Sequence, residues 1–267
     1  MNQSTNRIYA FRSGQNAEFI VIINGHNNRA IKLVRVGTYF NEAGIAVNPR
    51  TNRIYVTNNL GGSVVVLNGK TNRVESTIKA GRRPWGIAVN TRTNRLYVLN
   101  LVDQTVSVID GKTNRVVKTI KVGKSPYHDL SVNERTNRIY VSNTDDGTIS
   151  VINGFTNAVM ATIKVGRLPG LPVINPNTNK VYVTSVGQVS VIDGRTNKVI
   201  RRIQLGLYPD QLVIDSTKNL IYVSRDPGLS GSDKIFVIDG KTDRIISSRV
   251  VPIFDYLLIN PATNHFL

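Results

Sequence analysis

The pentapeptide Thr-Asn-Arg-Ile-Tyr constrains this chain more than any other feature. It stands at 5–9, 51–55 and 136–140, and returns as TNRLY at 93–97 and TNKVY at 178–182. Looser copies follow as KNLIY at 218–222 and TNHFL at 263–267. The aromatic anchors Tyr9, Tyr55, Tyr97, Tyr140, Tyr182 and Tyr222 are 46, 42, 43, 42 and 40 residues apart. A chain that repeats at such a period stacks copies of one small unit, because no single copy can bury its apolar face alone. Six tyrosines in one repeated position indicate packing rather than chemistry.

One full period, residues 86–123, reads GIAVNTRTNRLYVLNLVDQTVSVIDGKTNRVVKTIKVG. It divides into four runs rich in Val, Ile, Tyr and Thr with strand-like alternation: GIAVN, RLYVLN, TVSVID and RVVKTIKV. Segments such as NPRTN separate the first two runs, and DGKTN or NGKTN separates the last two. The Asn-Gly and Asp-Gly pairs predict hairpin turns in which these residues take up positive φ. No useful length of the chain has helical periodicity. Four antiparallel strands in each period of 40–46 residues define a propeller blade, so the expected fold is all-β.

The blades resemble the YVTN-repeat (YncE-like) family of β-propellers. IYVTN stands intact at 54–58, with LYVLN at 96–100, IYVSN at 139–143 and VYVTS at 181–185 as variants. The likeness covers essentially the whole chain and departs from the pattern in the last two repeats. There IYVSRDPGLSGSD replaces a tight turn, and RVVPIFDY lacks the Gly that ends the earlier fourth strands. With strands lettered A to D from the inside outward, as the resemblance implies, each type appears six times. The chain begins with B-C-D and ends with an A strand, YLLIN at 256–260. The expectation is a single six-bladed propeller domain over residues 1–267, closed by that terminal strand. A seven-bladed ring lacking its last strands is the alternative.

The charge matters next. The chain carries 34 Lys plus Arg against 17 Asp plus Glu, a formal net charge of +17. Such a surplus attracts nucleic acid, anionic lipid or acidic wall polymer. In the blade plan the A–B and C–D turns share one face and hold 18 of these 34 cations. Arg50, Arg53, Arg92, Arg95, Arg135 and Arg138 come from A–B turns, and Lys112, Arg115, Arg195 and Lys198 from C–D turns. Copying one ancestral unit would also produce such a ring. The turns are read as lacking the interleaved aromatics that single-strand binders use to stack bases.

The opposite face is where the repeats disagree. The stretches before the A strands read PWGIAV, YHDLSV, PGLPVI, PDQLVI and FDYLLI. They bring Trp85, Tyr127, His128, Asp129, Asp210, Gln211, Asp255 and Tyr256 to the channel mouth. Glu42 from a longer connection and Arg12 and Arg225 from the B–C side join them. Such a pocket suits a polar ligand, and its oxygens suit Ca²⁺, although no cofactor is predicted. His128, Asp129, Asp210 and Asp255 are the candidates for general acid–base work. Adjacent His128 and Asp129 point apart in an extended chain and form no dyad by spacing alone.

The totals exclude several other classes. There are no cysteines, hence no disulfides or thiolate chemistry. No apolar run reaches membrane-spanning length. The start, MNQSTNRIY, has no signal-peptide pattern in this chain, whereas the family resemblance implies an exported or surface protein. A monomeric binding scaffold for an anionic polymer (nucleic acid or cell-wall polymer) or a protein partner is the expected function. A lactonase-like hydrolase or lyase at the mouth is the competing one.

Overall fold

A computed structural model of the protein describes residues 1–2, 4–13, 17–37, 44–127, 130–206, 208–225 and 233–251. Among them every regular element is a strand. Blade 1 holds β1 (Arg7–Ser13), β2 (Glu18–Asn24) and β3 (Ala30–Gly37). Blade 2 holds β4 (Ile45–Asn48), β5 (Arg53–Asn58), β6 (Ser63–Asn68) and β7 (Arg73–Lys79). Blade 3 follows with β8 (Pro84–Asn90), β9 (Arg95–Asn100), β10 (Thr105–Asp110) and β11 (Arg115–Lys121). Blade 4 has β12 (Leu130–Asn133), β13 (Arg138–Asn143), β14 (Thr148–Asn153) and β15 (Ala158–Lys164). Blade 5 has β16 (Val173–Ile174), β17 (Lys180–Ser185), β18 (Gln188–Asp193) and β19 (Lys198–Gln204). Blade 6 has β20 (Pro209–Asp215), β21 (Leu220–Arg225), β22 (Asp233–Asp239) and β23 (Arg244–Val251).

Five of the sheets are four-stranded antiparallel meanders in chain order, and blade 1 shows three strands. This is the six-bladed reading of the repeat. Asn2 bridges Arg7, as Asn48 pairs with Arg53 and Asn90 with Arg95 in the next two blades. The first residues therefore occupy the last position of a strand A in blade 1. The expected closing strand, 256–260, lies outside the described residues, as does the TNHFL copy.

Burial explains the repeat word. The apolar clusters lie between blades, and five of them join blades 1 to 6 in order. Alternation along strand B sends its side chains to two neighbours. In IYVTN, Ile54 and Val56 pack back against blade 1, while Tyr55 packs forward against blade 3. Tyr97, Tyr140 and Tyr182 repeat that forward contact and are fully buried. Losing any one of them would open a cavity in a seam rather than in a sheet.

Candidate functional site

The two hairpins of each blade on the basic face use one turn. Asn48 ends β4 and Asn68 ends β6, and in each case the side-chain Oδ1 accepts backbone N–H groups two and three residues on. Arg50 and Thr51 donate at 3.0 and 3.4 Å, Lys70 and Thr71 at 2.9 and 3.0 Å. Each turn then closes on an Asn at positive φ, Asn52 at 52° and Asn72 at 55°. The sequence reading put positive φ on the Asn-Gly and Asp-Gly pairs. The left-handed residue is instead the Asn of Thr-Asn, because the Asx cap has already fixed the first half of the turn. The glycine serves close approach: at Gly69 a Cβ would lie 2.1 Å from Asn52 Oδ1, and at Gly111 2.5 Å from Asn94 Oδ1.

The same asparagines tie blade to blade. Asn48 Nδ2 donates to Asn94 Oδ1 at 2.8 Å, Asn90 to Asn137 at 2.8 Å, Asn133 to Asn179 at 2.8 Å and Asn175 to Asn219 at 2.7 Å. Asn2 makes the equivalent bond to Asn52 at 2.7 Å. Next to this ladder, the first residue of strand B reaches the C–D turn of the following blade. Arg7 donates to Gly69 O and Asn72, Arg53 to Gly111 O at 2.8 Å, and Arg138 to Gly194 O. Lys180 does so at 3.0 Å to Gly240 O and pairs with Asp243 at 2.7 Å, while Tyr182 Oη donates to the other oxygen of Asp243. Burial, with Asp243 beside it, pushes the Tyr182 hydroxyl pKa up.

These ties divide the predicted basic ring. Of the 18 turn cations, five are half-buried: Arg7, Arg53, Arg95, Arg138 and Lys180. The other thirteen are exposed, Arg50, Arg92, Lys112, Arg115, Arg135, Arg195 and Lys198 among them, and every blade contributes at least one. The turn carboxylates bond within their own hairpins. Backbone N–H bonds from Thr113 and Lys112 hold Asp110 below the ordinary carboxylate pKa, and those from Arg195 and Thr196 do the same for Asp193. Oδ1 of each acid is thus turned into its own hairpin, while Asp110 Oδ2 stands 3.4 Å from Arg95. A hollow of about 520 Å³ lies on this face at the seam of blades 4 and 5, lined by Arg135, Arg138, Lys180, Arg195, Asn177 and Asp193 among others. One aromatic does stand among these charges, without forming an interleaved stacking pattern. Phe155 occupies the tip of the C–D turn of blade 4 and is 76% exposed.

At the opposite mouth the strand-B hydroxyls tie the blades through main-chain carbonyls. Thr57 Oγ1 donates to Trp85 O at 2.9 Å, Ser142 Oγ to Gly170 O at 2.5 Å and Thr184 Oγ1 to Asp210 O at 3.2 Å. Asn100 and Asn143, at the ends of their B strands, are fully buried and bonded to hydroxyls within their own blades. The D–A connections hold Arg83, Ser125, Leu168 and Tyr208 at positive φ immediately before a proline, a conformation that costs a bulky residue about 1 kcal/mol. Asp145 and Asp146 hold this connection in blade 4 by accepting from Ser125 and from the N–H of Lys124.

The structure brings only part of the predicted pocket together. Asp210 and Gln211 line a hollow of about 380 Å³ with Leu168, Gly170, Leu171 and Leu212. Trp85 and Tyr127 meet separately, ring centroids 5.1 Å apart and tilted by 39°. Arg12 is exposed and Arg225 half-buried. Glu42, His128, Asp129, Asp255 and Tyr256 lie outside the described residues. Among the described residues no group of three or more His, Asp or Glu could hold a metal ion. No helix among them is long and apolar enough to cross a membrane.

Blades that share apolar seams, a ladder of turn asparagines and a mouth of variable connections define a β-propeller. Residues 86–252, more than half of the sequence, match the model of the YncE-like beta-propeller family, and the chain belongs to that family. Among solved structures it is similar to the Kuenenia stuttgartiensis hydrazine synthase. The identity is 20%, with a TM-score of 0.69, over 82% of this chain and 70% of that one. At that identity the likeness concerns the fold. No curated protein sequence matches the chain.

Proposed function

We propose that the protein is a non-enzymatic binding scaffold whose basic face takes an anionic macromolecule. The observation that carries this reading is the division of the turn cations. Five are engaged in or beside the seams, and thirteen are exposed, spread over all six blades. Copying a structural unit accounts for the five. It does not require a cation at the exposed tips, where any polar residue would serve the turn. Nucleic acid, acidic wall polymer and anionic lipid share the phosphate or carboxylate chemistry that such a face would meet. The mouth hollow with Asp210 and Gln211 would be a second, smaller site for a polar ligand.

The test is a salt titration of binding to an oligonucleotide and to a sulfated polysaccharide. The logarithm of affinity should fall linearly with the logarithm of salt, as counterion release requires. Negligible affinity for both, and for anionic lipid vesicles, at low salt would remove the proposal.

A further inference from the structure

The basic face has one sector that departs from its own pattern. The tips of the C–D turns hold Lys70, Lys112, Arg195 and Lys241 in blades 2, 3, 5 and 6, and Phe155 in blade 4. Three residues on, Arg73, Arg115, Lys198 and Arg244 give way to Ala158. Val159 and Met160 follow at 37% and 43% exposure on the outer strand. Exposed apolar residues on that strand recur in other blades, as Val74, Val117, Ile200 and Ile245 show, so what sets blade 4 apart is the exchange of two cations for Ala158 and a phenyl ring that water surrounds on most sides. No fold requirement explains Phe155, since the Asx cap from Asn153 to the N–H of Phe155, 2.8 Å, forms equally with Lys or Arg at this tip.

We propose that this face docks on an anionic lipid bilayer, with Phe155 inserted at the headgroup–acyl boundary as its apolar anchor. The proposal rests on the reading that the basic face binds anions and names which anion. Two features favour a bilayer over a strand. Exposed turn cations occur on every blade, so they surround the face. A linear polymer crosses a disc along one strip, whereas a planar array of headgroups meets all of them at once. Electrostatic attraction to lipid is also strengthened by a side chain that leaves water on contact, and an exposed aromatic beside Lys and Arg supplies it. A nucleic acid would instead use stacking rings spaced along a groove, and a single ring at the outer turn of one blade does not provide them. The turns are short and capped, so cations and ring are in place before contact and little ordering is needed on docking.

The experiment is co-sedimentation with vesicles of phosphatidylglycerol and phosphatidylcholine in equal parts, with pure phosphatidylcholine and an oligonucleotide as the other arms. The native chain should bind the anionic vesicles and not the neutral ones. Phe155→Ser should weaken that binding about tenfold, the loss expected for partial burial of one phenyl ring, and leave oligonucleotide affinity unchanged. A Phe155→Trp chain in a Trp85→Phe background should shift its emission to the blue on adding anionic vesicles. The native Trp85, on the mouth face, should not shift. Equal vesicle binding by Phe155→Ser, with no shift from the introduced Trp, overturns the lipid proposal. If oligonucleotide still binds in that case, the anion-binding reading survives without it. Failure of every anionic ligand to bind at low salt overturns both.

Discussion

The turn face and the mouth face are built from the same six blades, yet they constrain their side chains in opposite ways. On the turn face the inter-blade ladder runs from side chain to side chain, as Asn48 to Asn94 and Asn90 to Asn137 illustrate. Residue identity is fixed there, and only the turn tips are free. At the mouth the corresponding bonds end on carbonyl oxygens, those of Trp85, Gly170 and Asp210. A carbonyl accepts a hydroxyl whatever side chain it carries. Indole, hydrogen and carboxylate therefore occupy equivalent mouth positions at no cost to the seam. The lesson is that variation at the mouth is structurally cheap and says little by itself. Uniform charge at free turn tips is the more informative signal.

Breaking the turn face at its fixed positions should have the largest effect. Asn137→Ala removes the acceptor of Asn90 in a buried ladder and puts at a φ of 51° a residue that tolerates the left-handed region less well than Asn. We expect a loss of roughly 3 kcal/mol in urea unfolding. Arg92→Ala, at a free tip of the same turn type, should change stability by less than about 0.5 kcal/mol. Equal losses at the two sites would show that the division between fixed and free positions is wrong.

Two seams sharpen the comparison within the turn face. Between blades 5 and 6, Lys180 and Tyr182 converge on the buried Asp243. Between blades 3 and 4 the equivalent Arg95 makes only a 3.4 Å contact with Asp110, and its Nη1, Tyr97 Oη and Asn157 Oδ1 find no hydrogen-bond partner among the described residues. Lys180→Ala should cost roughly 2–3 kcal/mol because it strands a buried carboxylate. Arg95→Ala should cost under about 1 kcal/mol. Paired urea melts measure the difference, and a larger loss for Arg95 would reverse this account of the seams.

A smaller effect, spread over all seams, is set by pH. Burial raises the pKa of the tyrosines of strand B, with Tyr97 pushed up to about 12 and Tyr9, Tyr55, Tyr140 and Tyr222 shifted in the same direction. The unfolded chain ionises near the ordinary value of 10.0, so below it neither state is charged and the full stability is present. Above it the unfolded state loses protons that the folded state keeps, and stability falls as pH rises towards 12. Phenolate absorbance should therefore appear together with unfolding. Ionisation of these tyrosines near pH 10 in a chain that stays folded would contradict their placement in the seams.

Much of this was legible in the sequence. The period of the tyrosines gave the blades, and the apolar alternation around Tyr55 or Tyr97 gave their packing. The role of Thr-Asn was not legible as turn chemistry alone, because its bonds join residues such as Asn48 and Asn94 that are distant along the chain. Their near-constant separation, close to one repeat, was the available signal. Phe155 was missed because aromatics were sought as a pattern, whereas it is one aromatic in a tip column of His26, Lys70, Lys112, Arg195 and Lys241. Of the mouth, Asp210 and Gln211 do share a hollow. Trp85 and Tyr127 form a separate aromatic pair, since each connection takes its own path and the blade 4 connection is one residue longer between its proline and Asn133.

The central claim is that the free cations of one face bind an anion. It is tested most directly by moving the same charge change between faces. One chain carries Arg50→Glu, Arg92→Glu and Arg135→Glu on the turn face. A second carries Arg12→Glu, Lys124→Glu and Arg167→Glu, exposed residues on the mouth side with the same total change. Binding of a sulfated polysaccharide is measured against salt for both. The account predicts that the first chain loses about three of the counterions released on binding, with a correspondingly shallower slope, while the second keeps nearly the native slope. Equal losses in the two chains would mean that net charge alone attracts the anion, and that the turn face is no site.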